Sequence, residues 1–148
     1  MTISEKLFQD MNASMLAGDS KRTGVLRLLR AAIKNNEIKL GHKLDEPEVL
    51  KVLQREAKQR RDSIEAFRLA ERKDLLVLEE SELTVIASYL PEAMTTQELA
   101  KIVDEIVISL GATDIKQVGL VMGVVMKQVG AQADGGAVSS AVRLRLSA

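Results

Sequence analysis

The sequence contains no cysteine. Disulfides, thiol nucleophiles and thiolate metal sites are therefore excluded for these residues. A single histidine, His42, leaves no second imidazole to complete a histidine metal set. It lies in the polar stretch LGHKLDEPE and reads as a solvated loop residue. Aromatic residues make up only 2% of the chain, with no tryptophan, one tyrosine and two phenylalanines. Bases have almost nothing to stack on, and readers of single-stranded nucleic acid need such platforms. Neither sign of charge is in excess, because 21 basic residues face 21 acidic ones. A strong nonspecific binder of nucleic acid carries a basic surplus, so no DNA partner is expected and any RNA contact must come from local placement of charge. No run approaches the ~20 apolar residues of a membrane span, and no basic segment followed by an apolar core opens the chain. No membrane partner and a cytoplasmic location are the expectations.

What is present points to helices. The 148 residues are 46% hydrophobic and 28% charged, enough for one domain or two small ones with a real core. Leu, Ala, Glu, Lys and Val dominate and prolines number only two, which predicts an all-α fold. Start and stop signals divide it. Ser4 is a candidate cap for a first helix ending at Gly18, and Ser20 for a second ending before Gly41. Asp45 and Glu48 form a capping box with Pro47 in the first turn, opening a long third helix. A fourth runs from about Asp74 to Tyr89, where Pro91 ends it. Thr95 with Glu98 opens a fifth, stopped by Gly111; Asp114 with Gln117 opens a sixth, stopped by Gly130; Asp134 precedes a short seventh. The segment LPEAMTT is the predicted boundary. Residues 1–91 then form an N-terminal four-helix bundle-like domain, and residues 92–148 a small three-helix C-terminal domain.

Projected at about 100° per residue, the third and fourth helices place polar groups within their apolar stripes. Glu56, Arg60 and Ser63 fall among Val49, Val52, Leu53, Ala57, Ile64 and Phe67. Glu79 and Glu82 interrupt Leu75, Leu78, Leu83, Val85, Ile86, Tyr89 and Leu90. Carboxylates meeting inside a bundle suit di-metal sites, but those need histidines at Glu-x-x-His spacing, and none occurs. An ion-pair network with Arg60 shared among Glu56, Glu79 and Glu82 is the favoured reading. If it is fully buried, Arg60→Ala should cost ~3–5 kcal/mol. Arg27, Arg30 and Lys34 share the solvent face of the second helix, and Arg55, Lys58, Arg61, Arg72 and Lys73 add charge further on. With Asp62, Glu65 and Glu71 interleaved, these read as a solvated face of mixed sign.

The run AKQRRDSIEAFRLAERKDL, then EESEL and YLP, together with KRTGVLRLLRAAIKNNEI earlier, resembles the signature of the YqeY family. These are small bacterial proteins whose C-terminal domain is similar to the tail of the B subunit of tRNA-dependent amidotransferases. The resemblance covers essentially the whole chain. It implies a helical N-terminal domain, a three-helix C-terminal domain and a link to transamidation of mischarged tRNA, in which the B-subunit tail contacts tRNA. Gly119, Met122 and Ala133-Asp134-Gly135 match the family pattern near the C-terminus. Leu120 stands where a basic residue is common, and Ala131-Gln132 replaces the glycine and basic residue of the turn. From Glu92 onward five basic residues (Lys101, Lys116, Lys127, Arg143, Arg145) face six acidic ones (Glu92, Glu98, Asp104, Glu105, Asp114, Asp134).

The glycines of VGLVMGVVMKQVGAQADGG lack the G-x-x-x-x-G-K-[ST] spacing of a nucleotide loop. Gly119 and Gly123 are expected to let a neighbouring helix approach closely. Gly135 and Gly136 free backbone amides that could hold a phosphate, but Asp134 is expected to take that place as a cap. No nucleophile–base pair or cofactor fingerprint is found, so no cofactor is expected. The chain therefore reads as a non-catalytic tRNA-contacting or adaptor module, with Lys127, Arg143 and Arg145, and Lys58 and Arg72 as a second patch, as the candidate RNA-binding residues. The alternatives are an accessory component of a carbon–nitrogen ligase with glutamine as amido-N-donor, partnered by amidotransferase subunits, and a protein-interaction scaffold without RNA binding.

Overall fold

The computed structural model describes residues 1–147. Among these are seven α-helices and two single-turn 3₁₀ helices, and no strand. The chain divides into two compact units, Met1–Leu90 and the remainder from Pro91. The all-α expectation holds, with four helices in the first unit and three in the second.

Helix α1 (Ile3–Leu16) opens on a capping box in which Thr2 Oγ1 accepts the Glu5 N–H and the Glu5 carboxylate accepts the Thr2 N–H. The cap is thus Thr2 and not Ser4, because the T-x-x-E spacing satisfies two orphan amides at once. Helix α2 (Ser20–Leu40) is capped by Asp19, whose carboxylate accepts the Arg22 N–H, so Ser20 is the first helical residue instead of the cap. It ends at Gly41 with a φ of 78°. The Asp45–Glu48 box with Pro47 in the first turn opens α3 (Glu46–Leu69) as expected. Helix α4 (Lys73–Ala87) follows without a glycine between them. Instead Glu71 takes the left-handed conformation at φ 56°. Its N–H donates to the Arg68 carbonyl, and the Arg72 N–H to that of Phe67, which completes a Schellman turn.

The core of this unit gathers Leu7 from α1, Leu26 and Leu29 from α2, Leu53 and Ala57 from α3 and Ile86 from α4, all fully enclosed. Burying each such leucine or isoleucine stabilises the fold by about 1.5–3 kcal/mol. The α1–α2 and α3–α4 pairs are helical hairpins closed by short turns. Leu78, expected on the buried face, is 46% exposed, since it lies about 80° round the helix from Ile86. Two buried polar side chains, Ser14 and Thr23, pair hydroxyl to hydroxyl at 2.6 Å. The Tyr89 hydroxyl donates to Asp10 at 2.5 Å and ties the end of α4 to α1. Burial first, then that bond, pushes its pKa up to about 12.

In the second unit α5 (Thr96–Leu110) starts at the Thr95–Glu98 box and stops at Gly111, φ 64°. The Asp114–Gln117 box opens a 3₁₀ turn leading into α6 (Val118–Val129), and α7 (Gly135–Ser147) closes the chain. Val103 of α5, Val121 and Val125 of α6, and Val138 and Val142 of α7 are all fully enclosed. No single helix among the described residues is long and apolar enough to cross a membrane.

Candidate functional site

Three carboxylates converge on Arg60. Its Nη1 donates to Glu56 Oε2 at 3.1 Å, one turn earlier on α3, and its Nε to Glu82 Oε2 at 2.9 Å on α4. Glu79 Oε2 stands 3.8 Å from the same Nε, buried and without a hydrogen bond. Desolvation raises the Glu79 pKa, Glu82 adds to the rise, and Arg60 opposes it. The four side chains retain 13–20% exposure, so the cluster sits at the rim of the α3–α4 contact and is not fully buried. One guanidinium facing three carboxylates holds the two helices in register, as a shared ion does. Among the described residues no group of three histidine or carboxylate ligands is arranged to hold a metal.

The candidate RNA-binding cations separate into two groups. Arg145 Nε donates to Asp104 at 2.7 Å across α7 and α5, and Arg72 Nε lies 3.4 Å from Asp74. Both charges are already answered by a carboxylate. Lys127 on α6, Arg143 on α7 and Lys58 on α3 are exposed and have no carboxylate partner; Arg143 meets only Ser139 Oγ, at 3.3 Å. For Lys127 and Arg143 the sequence carries the signal, since neither has an acid three or four positions away.

The glycine-rich stretch is structural. Asp134 Oδ1 accepts the Ala137 N–H at 2.7 Å, and the charge of that cap stands where a phosphate would have to sit. The Gln132 carbonyl accepts the Met94 N–H at 2.8 Å, fastening the turn to the segment before α5. The expected close approach at Gly119 and Gly123 is corrected: a Cβ on either would meet nothing within 4 Å, because both point away from the valine core. His42 is exposed in the α2–α3 connection; Lys43 O lies 2.9 Å from Nδ1 and Glu48 is 3.8 Å from Nε2. The Lys43 carbonyl and then the Glu48 charge raise its pKa. Lys43, which no sequence pattern singles out, is exposed without a carboxylate partner and lines a cleft together with residues of α2.

The model of the family described as Yqey-like protein matches residues 4–146. The chain belongs to the YqeY family. Among curated relatives, "Altered inheritance of mitochondria protein 41, mitochondrial" of Lachancea thermotolerans is 38% identical over 93 residues, covering 62% of this chain and 50% of that protein. The protein of the same name from Saccharomyces cerevisiae is 33% identical over 91 residues, 61% of this chain and 49% of its own length. That of Kluyveromyces lactis is 34% identical over 115 residues, 75% of this chain and 59% of its own. The chain thus spans about half the length of the curated relatives it matches. Their names correct the expectation of a cytoplasmic location, because these YqeY-related proteins are mitochondrial. The expectation rested on sequence features that were not found, and such absences do not fix a compartment for a helical domain.

Proposed function

We propose that this YqeY-family protein is a non-catalytic module that contacts tRNA through its C-terminal unit, as its resemblance to the amidotransferase B-subunit tail implies. One observation carries the reading: Lys127 and Arg143 stand exposed on α6 and α7 with no carboxylate to neutralise them. Lys58 offers the same kind of charge on α3, whereas Arg145 and Arg72 would first have to leave Asp104 and Asp74. Such cations release counterions from phosphates and bind by position, not by base identity. The aromatic inventory agrees, since Tyr89 is buried and only Phe8 and Phe67 remain to stack on a base.

The accessory reading, a component of a glutamine-dependent carbon–nitrogen ligase, is favoured by a different feature. Ile108, Leu120 and Leu144 of the C-terminal unit are 67%, 57% and 74% exposed, which suits contact with another subunit.

Fluorescence anisotropy of labelled tRNA, at 50 and 200 mM salt and with or without amidotransferase subunits, tests both. Two phosphate contacts, by Lys127 and Arg143, predict a loss of affinity of about tenfold over that range. Lys127→Glu with Arg143→Glu should weaken binding at least tenfold. Transamidation stimulated only in the mixture supports the accessory role. An absent or salt-insensitive interaction overturns the tRNA reading in favour of a protein scaffold.

A further inference from the structure

The solvent face of α2 carries Arg27, Arg30 and Lys34, and its two arginines are held by uncharged partners. Arg30 Cζ lies over the Phe8 ring, 4.7 Å from its centroid, and Nη1 is 3.6 Å from Met11 Sδ. Arg27 Nη2 points at Met15 Sδ, 3.7 Å away. Both guanidiniums are thus laid against α1 by soft, uncharged partners, which fix their position without neutralising their charge. None of the three has a carboxylate partner.

All three border a cleft of about 740 Å³ between α2 and the starts of α1 and α3, which Lys43 also lines. The acids of that cleft are largely committed to backbone amides. Glu5 and Asp45 serve capping boxes, and the Glu46 carboxylate accepts the Ile3 N–H at 3.1 Å. Only Glu37 is left without such a bond. Arg27 also borders a second cleft, of about 300 Å³, where Gly24 exposes bare backbone one turn earlier. The two clefts meet at Arg27 and follow the α1–α2 seam.

We propose that this seam is a second RNA track, in which Arg27, Arg30 and Lys34 seat successive phosphates of one strand. From residue 27 to 34 the helix rises ~10.5 Å. One strand of a DNA duplex rises about 3.4 Å per phosphate, so a length of this order spans about three phosphates; the restriction to RNA comes from the tRNA reading and not from this spacing. A row of cations with their charge unspent, two of them laid against α1, recognises a regular polyanion by position, and no aromatic platform for bases is needed. The inference rests on the tRNA reading above but places the contact on a different unit.

The test compares full-length wild type with Arg27→Gln/Arg30→Gln, Lys34→Glu, and Lys127→Glu/Arg143→Glu. Binding to tRNA, to an RNA hairpin and to a DNA duplex of the same sequence is followed against salt. Lys34 is exposed and its side chain takes part in no described ion pair or hydrogen bond, so Lys34→Glu keeps the test valid even if the double arginine variant melts early. The expected result is a salt slope smaller by about two in the arginine variant. Lys34→Glu should weaken RNA binding about tenfold, and DNA should bind more weakly than RNA. If the α2 variants bind as wild type while Lys127→Glu/Arg143→Glu loses affinity, the track is refuted and the C-terminal reading stands. If only the α2 variants lose affinity, the track stands and the C-terminal reading falls. No binding by wild type overturns both, and equal affinity for RNA and DNA overturns the assignment to RNA.

Discussion

At the residue scale, Glu79 is the costly member of the Arg60 cluster. Its buried oxygen has no donor, and burial raises its pKa above the usual 4.5. Between about pH 4.5 and the raised folded pKa, Glu79 keeps a proton in the native state that the unfolded chain has released, so its contribution to stability is lost as pH rises through that window. Glu79→Gln removes that penalty. A higher melting temperature than wild type at pH 7, with the gap closing below pH 4.5, is the expected outcome of paired thermal melts. Arg60→Ala acts in the opposite direction, leaving three carboxylates face to face. The partial exposure of the cluster lowers the expected cost to about 2 kcal/mol, between the fully buried and the surface limits. The meeting of these four residues was legible because helical periodicity placed charges inside apolar stripes. Their depth was not, since periodicity gives direction round a helix and not distance from solvent.

At the scale of the element, the ends of helices were read well wherever side chain and backbone amide form a reciprocal pair. The boxes at Asp45, Thr95 and Asp114 lie where their spacing puts them. The misplacements at Ser4 and Ser20 arose from taking a hydroxyl alone as the signal. The α3–α4 turn had no glycine to announce it, because Glu71 occupies the left-handed position that glycine ordinarily fills. A residue with a Cβ is strained there by ~1 kcal/mol relative to glycine. Glu71→Gly should therefore stabilise the first unit by about that amount in urea unfolding, with no change in m-value. The candidate cations were legible as residue types, but their pairing was not: Asp104 meets Arg145 from another helix, 41 positions away.

At the scale of the whole molecule, two separate cores divide the chain, leucine-rich before Leu90 and valine-rich after it. Pro91, Glu92 and Ala93, which precede the Met94 hydrogen bond to Gln132, are exposed and lie outside any helix. Limited proteolysis is expected to cut here first, and the released fragment from Pro91 onward should keep a cooperative melt by circular dichroism. A fragment starting at Gln97 loses both the Met94 fastening and the Thr95 cap, and should melt at a lower temperature. That fastening has a practical meaning. The segment entering the second unit is buttoned to the turn just ahead of the last helix. Grafted behind an unrelated chain, this unit is expected to keep its cooperative melt only when the splice falls upstream of Met94.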